Sequence, residues 1–113
     1  MAALLILRKW WRGGWEPFDM ADRLHRDIFK IVYSHEFENA LRRYKKNAAL
    51  FERIQDQINK ILREPSIGKP LRYTLRNRRR LHIGSFVLVY EFHQGELRFI
   101  DFDHHDKIYK KFK

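Results

Sequence analysis

The 113-residue sequence contains no cysteine. Neither a disulfide framework nor a thiolate metal site can be built from it, so an oxidised secreted scaffold is disfavoured and a reducing cytoplasm fits. Proline (three residues) and glycine (five) are scarce, and no Gly/Ser linker, low-complexity tract or internal repeat divides the chain. No apolar run approaches the roughly 20 residues that a bilayer-spanning helix needs. Acidic residues are also in short supply: 14 Asp and Glu stand against 24 Lys and Arg, a formal charge of +10. A field of that sign favours a polyanionic partner such as nucleic acid, an acidic membrane surface or an acidic protein. What is present, 44% hydrophobic and 15% aromatic residues, suffices for the core of one compact domain and falls short of two.

Residues 1–27 differ from the remainder. A short apolar run is followed by Trp10, Trp11 and Trp15 set among Arg8, Lys9, Arg12 and a Gly-Gly pair. The run is too short for a membrane span and lacks the basic start and small-residue cleavage site of a signal peptide. Trp and Arg together also suit an interfacial segment. Met20 offers an alternative start, and residues 1–19 read as an appendage to a domain that begins at Ile28.

From Ile28 the pattern sharpens. The run "IFKIVYS" is β-branched and aromatic, and stops at Ser34, a helix-start residue. Phe37, Ala40, Leu41 and Tyr44 then recur at i, i+3, i+4 and i+7, with Glu36 and Glu38 at the positive end of the helix dipole. Asn47 can cap a second helix whose Leu50, Ile54, Ile58, Ile61 and Leu62 form an apolar stripe, ended by Pro65 and Gly68. The rest reads as strand: "LRYTL", "RRRLHIGSFVLVYEF" and "ELRFIDFDH", the last two joined by an "HQGE" turn. Phe86 to Phe92 is apolar on both faces, as a central covered strand would be.

Between Lys69 and Arg80 the chain carries Lys69, Arg72, Arg76, Arg78, Arg79 and Arg80 and no acidic residue. Strand alternation places Arg78, Arg80 and His82 on one face while Leu81 and Ile83 turn to the core. Arginine forks suit phosphate oxygens, and Tyr73 offers a surface for base stacking; the bland alternative is a solvated Arg-rich turn. The closing "DFDHHDKIYKKF" adds His104 and His105 among Asp101, Asp103 and Asp106. Read as extended strand, adjacent histidines point to opposite sides, which disfavours one shared metal, and no HExxH spacing occurs. Imidazoles exchange protons near neutrality, so His82 and one of the terminal pair could supply base and acid for attack of an RNA 2′-hydroxyl on its phosphate. Arginines would stabilise the charge that develops there. His25, His35 and His93 have no such company and read as surface or turn residues.

The stretch "GKPLRYTLRNRRRLHIGSFVLVYEFHQGELRFIDFDHHDKIY" resembles the second half of the RelE/ParE superfamily of bacterial and archaeal toxins, and the resemblance runs from about Ile28 to the C-terminus. Its most specific pieces are the Gly-Lys-Pro-Leu-Arg lead-in, the basic strand ending in Ile-Gly, the Val-Leu-Val-Tyr-Glu strand and the final His-His-Asp-Lys-Ile-Tyr; residues 1–27 find no counterpart. The resemblance implies an α+β, RelE-like fold in which a two-helix hairpin packs on a small, mostly antiparallel sheet, in the order β-α-α-β-β-β. It implies a ribosome-dependent mRNA endoribonuclease in the cytoplasm, inactivated by a cognate antitoxin protein, with no metal, cofactor, membrane or small-molecule substrate. By position, Arg80 and His82 match basic residues that relatives set near the scissile phosphate. His105, with His104 as the alternate, falls where RelE-type toxins usually carry an arginine, and Tyr109 falls on their C-terminal tyrosine. Histidines in comparable places are similar to the YafQ branch. Lys69, Arg72, Arg76, Arg78 and Arg79 are expected to bind RNA. Two departures stand out: Val87 occupies the place of a frequent phosphate-contacting arginine, and Ser85 that of a frequent aspartate. A ParE-like inhibitor of DNA gyrase and a catalytically degenerate nucleic-acid or antitoxin-binding member are the alternatives.

Overall fold

The computed structural model describes residues 25–71 and 77–112. Strand β1 (Lys30–Tyr33) is followed by helices α1 (His35–Tyr44) and α2 (Ala48–Arg63), a 3-10 turn at Pro65–Ile67, strands β2 (Lys69–Pro70), β3 (Arg78–Ile83), β4 (Phe86–His93) and β5 (Glu96–His104), and helix α3 (His105–Lys111). The five strands form one sheet in the order β1-β5-β4-β3-β2, with β1 parallel to β5 and every other pair antiparallel. The α+β class and the helical hairpin on a mostly antiparallel sheet are as the sequence leads one to expect.

Both hairpin helices begin where capping side chains stand. The Ser34 hydroxyl accepts from the Phe37 amide at 3.0 Å, and the Asn47 side-chain oxygen accepts from the Leu50 amide at 3.1 Å. Each cap is worth about 1 kcal/mol. Glu36 and Glu38 lie in the first turn of α1, with Arg42 and Arg43 in its last, so charge follows the dipole. The apolar stripes meet the sheet: Phe37, Ala40, Leu41, Phe51, Ile54, Ile58 and Ile61 pack with Ile83, Leu88, Tyr90, Leu97, Phe99 and Phe102 in one cluster. Tyr33, Phe37 and Phe99 stack with ring centroids 5.1–5.7 Å apart. Burial at roughly 1.5–3 kcal/mol per large side chain makes this face the main source of stability.

Some details differ from the sequence reading. The run 78–92 holds two strands, because Gly84 takes φ +62° and turns the chain between Ile83 and Phe86. The strand expected at 71–75 falls almost wholly on residues 72–76, which lie outside the described residues, as do 1–24 and therefore the tryptophan-rich extension; just before it, Lys69–Pro70 pair with Arg80 and Arg79. Finally, β5 ends at His104 as expected, but His105 opens helix α3 instead of continuing the extended strand. Gln94 and Gly95, both at positive φ, make the expected tight hairpin between β4 and β5.

The opposite face of the sheet is only partly covered. Leu71, Val87, Val89 and Ile108 form a small second apolar cluster, joined by Ile100 and Phe112. Val87 is fully buried in this cluster with Ile108 of α3. A β-bulge shapes this side. Val89 pairs with Asp101 but Tyr90 pairs with Phe99, so Ile100 is an extra residue on β5. Strict alternation from Leu97 and Phe99 would send Asp101 into the hairpin core. The bulge resets the phase, keeping Phe102 in that core and turning Asp101 and Asp103 to the side of α3.

Candidate functional site

On β3, residues opposite Glu91, Val89 and Val87 are Arg78, Arg80 and His82, and these three share the face on which α3 lies. Leu81 and Ile83 take the hairpin side, as alternation predicts. The His82 ring is exposed, and its Nε2 lies 3.2 Å from the Tyr109 hydroxyl of α3. The basic strand and the C-terminal segment therefore meet, a juxtaposition that spacing alone leaves open. Tyr109 also lies beside His105, with ring centroids 6.3 Å apart, and so stands between the two imidazoles.

The His-His pair is arranged differently from an extended strand. β5 ends at His104 and α3 starts at His105, so His104 is the N-cap residue and its Nδ1 accepts from the Asp106 amide at 3.4 Å. The rings of His104 and His105 face each other at 4.4 Å rather than pointing apart. His105 Nδ1 is 2.9 Å from Asp106 Oδ1, and His104 Nδ1 is 3.7 Å from Oδ2 of the same carboxylate. The donor atoms of His104, His105 and Asp106 all fall within 4.8 Å of one another. The geometric objection to a shared divalent ion, that strand alternation separates the two histidines, is thus removed: the change from strand to helix turns them to one side. The His105 amide donates to the Ser85 carbonyl at 2.9 Å, fixing the start of α3 against the β3–β4 turn.

The arginines divide by face. Arg78 Nε lies 3.4 Å from Glu91 Oε2, and its guanidinium sits 5.6 Å from the centroid of the Phe112 ring. Arg80 reaches the Pro70 carbonyl at 3.4 Å, while its Nε is buried with no hydrogen-bond partner among the described residues. Lys69 is exposed on β2, beside Arg80 in register. Arg79 is not brought together with them. It stands opposite Tyr90 and donates to the Gly68 carbonyl at 2.7 Å and the Ser66 carbonyl at 3.2 Å. Tyr90 ties the same turn, donating to Pro65 and accepting from the Gly68 amide, and burial pushes its hydroxyl up in pKa. A Cβ on Gly68 would fall 2.7 Å from the Tyr90 oxygen, so that approach requires glycine. Arg79 thus secures the lead-in turn. Arg72, Arg76 and Tyr73 lie outside the described residues.

Sequence reasoning missed the layer beneath. Asp101 and Asp103 are buried, at 4% and 3% exposure. Asp101 Oδ2 receives the Lys111 ammonium at 2.8 Å, and its Oδ1 accepts from the Phe102 amide. Asp103 accepts from Tyr44, from Arg43 and from the His104 amide. Burial alone would raise the Asp103 carboxyl, but the His104 amide, the Tyr44 hydroxyl and the charges of Lys107 and Arg43 outweigh it and hold the group below the usual carboxylate value. The "DFD" alternation was visible in sequence; the bulge that gives it its partners was not.

Comparison with known proteins bears on the family and the fold. Residues 31–109 match the family model described as ParE toxin of type II toxin-antitoxin system, parDE. A putative toxin, RelE4, of Methanocaldococcus jannaschii is 39% identical over 72 residues, covering 61% of this chain and 77% of that protein. Among solved structures, the DinJ-YafQ toxin-antitoxin complex of E. coli contains a chain that superposes with a TM-score of 0.62 at 16% identity, covering 70% of this chain and 94% of that one. The RelBE2 toxin-antitoxin complex of Mycobacterium tuberculosis gives 0.52 at 21%, covering 68% and 98%. These structural likenesses concern the fold. The family match spans most of the chain and the relative covers more than two thirds of its own length: the chain belongs to the RelE/ParE toxin superfamily, through the ParE toxin family of type II toxin–antitoxin systems.

Proposed function

We propose that this toxin is a metal-independent, ribosome-dependent mRNA endoribonuclease, held inactive by a cognate antitoxin. The observation that carries the reading is the contact of His82 Nε2 with the Tyr109 hydroxyl, beside His105 and on the face lined by Arg78 and Arg80. In this reading His82 takes the proton of an RNA 2′-hydroxyl, the 2′-oxygen forms a bond to phosphorus, and the bond from phosphorus to the 5′-oxygen breaks. His105, with His104 as its alternate, gives the leaving oxygen a proton, and the products are a 2′,3′-cyclic phosphate and a free 5′-hydroxyl. Tyr109 orients the imidazole of His82, while Arg78 and Arg80, with Lys69 alongside, meet the charge on the phosphate. Arg72 and Arg76 are expected to add phosphate contacts. Arg79, engaged with two carbonyls, holds the lead-in turn in place for Lys69. No step calls for a metal ion.

The antitoxin follows from family membership and from the structural neighbours, which are toxin-antitoxin complexes. An acidic partner of a chain with net charge +10 would cover the same basic face. The match to a ParE family model favours a second reading, inhibition of DNA gyrase without chemistry by the toxin itself.

The deciding experiment is induction in cells with primer-extension mapping of mRNA 5′ ends. Cuts within codons of translated messages are expected, and in vitro cleavage should persist in EDTA once ribosome integrity is controlled. Double-strand DNA damage with intact messages would replace this reading with the gyrase one. Activity lost in chelator and restored by a divalent ion would assign the His104–His105–Asp106 group to a catalytic metal.

A further inference from the structure

A seven-residue helix has almost no stability of its own, because too few hydrogen bonds repay its nucleation. α3 nevertheless has to present Tyr109 to His82 within hydrogen-bond distance. Its start is fixed by continuity with β5 and by the His105 amide on Ser85, and its middle by Ile108 in the apolar seat with Val87 and Val89. At its far end Lys111 reaches back to Asp101 at 2.8 Å and lies 4.0 Å from Asp103.

We propose that Asp101 and Lys111 are positioning residues of the site: a latch that closes the free end of α3 onto the sheet and so sets the placement of Tyr109 on His82. Two features separate the latch from an ordinary surface ion pair. Asp101 is almost fully buried, so its charge depends on a partner in a way that exposed carboxylates do not. It also occupies this face only because the Ile100 bulge turns it away from the hairpin core, where alternation would otherwise send it. The bulge is itself held, since the Ser34 hydroxyl that caps α1 donates to the Ile100 carbonyl. Asp103 has Arg43, Tyr44 and the His104 amide as partners; Lys111 is the cation within ion-pair distance of Asp101 among the described residues. Lys111 also sits in the last turn of α3, where a positive charge opposes the helix dipole.

The catalytic consequence rests on the nuclease reading above, and the test separates the two. In the full-length chain, Lys111→Met should lower kcat for RNA cleavage about tenfold with KM nearly unchanged, because the arginines that hold RNA stay on β3 while Tyr109 drifts. Lys111→Arg, which restores the charge, should recover most of the rate. Asp101→Asn should lower kcat similarly, and combining it with Lys111→Met should cost little more than either alone. Independently of activity, the His82 ring resonances of Lys111→Met should move to those of Tyr109→Phe. Failure of the wild type to cleave RNA would remove the nuclease reading and leave the resonance comparison to judge the latch. Wild-type His82 resonances in a folded Lys111→Met protein, or a lower Tm with kcat unchanged, would overturn it.

Discussion

The two faces of the sheet are built on opposite terms. The hairpin side packs large apolar groups continuously from Phe37 to Ile61 against Leu88, Leu97 and Phe99, and the candidate histidine at its margin is His104, whose ring meets Phe86 edge-on. Among the described residues the α3 side has Leu71, Val87, Val89 and Ile108 fully in its core, and surrounds them with Arg78, Arg80, His82, Asp101, Asp103 and Lys111. One face supplies most of the stability, while the other carries polar groups that range from the buried Asp101 and Asp103 to the exposed His82, and burial strengthens the interactions of the first two. Tyr90 and Val89, neighbours on β4, show how narrow the boundary is. Tyr90 faces the core and pins the lead-in turn, whereas Val89 faces the seat of α3.

This contrast can be broken most sharply on the stable side. Phe99→Ala should destabilise the domain by about 3–5 kcal/mol, whereas Ile108→Ala should cost about 2 kcal/mol because a short helix can settle into the space. Chemical denaturation of both variants checks the difference; equal losses would show that the two faces share the load. On the other side, His82→Ala and His105→Ala should each reduce RNA cleavage by about 10²-fold or more with the unfolding midpoint little changed. Full activity in both variants would remove the acid-base assignment. Arg80→Ala should weaken RNA binding and flatten the dependence of log K on log salt by about 0.7 for one lost phosphate contact on a single strand. A salt series that matches wild type would move the RNA elsewhere.

The smallest effect concerns pH. Asp103 is held below its usual value in the folded protein, so it contributes stability that is fully present above the unfolded value of about 4 and is lost as pH falls through the lower folded value. Urea unfolding between pH 5 and 3 should therefore show a steeper loss for wild type than for Asp103→Asn. Parallel curves would mean that the network around Asp103 is not a net stabiliser.

The helical hairpin was readable from the sequence because its signals are local: Ser34 and Asn47 lie at the caps, and the apolar residues recur at helical spacing. The shared face of Arg78, Arg80 and His82 followed from alternation alone. The division of 78–92 into two strands was harder to see, since apolar residues flank Gly84 and Ser85 on both sides and a two-residue turn leaves little mark in composition. The bulge at Ile100 is harder still, because it depends on what lies opposite in β4. The relation of His104 to His105 could not follow from periodicity, since the chain changes from period two to helix between them. For that reason the sequence singles out His82, His104, His105 and Tyr109 as candidates while their mutual geometry comes only from the fold.

The parallel pairing of β1 with β5 bears on how the protein is made. Among the described residues β1 pairs with β5, across both hairpin helices and three intervening strands. During synthesis β1 therefore waits with an unfilled edge until β5 emerges, a long-range closure of the kind that slows folding. Until β5 and α3 have docked, His82 stands on its strand without the Tyr109 hydroxyl that it meets in the folded domain, so that contact is among the last to form.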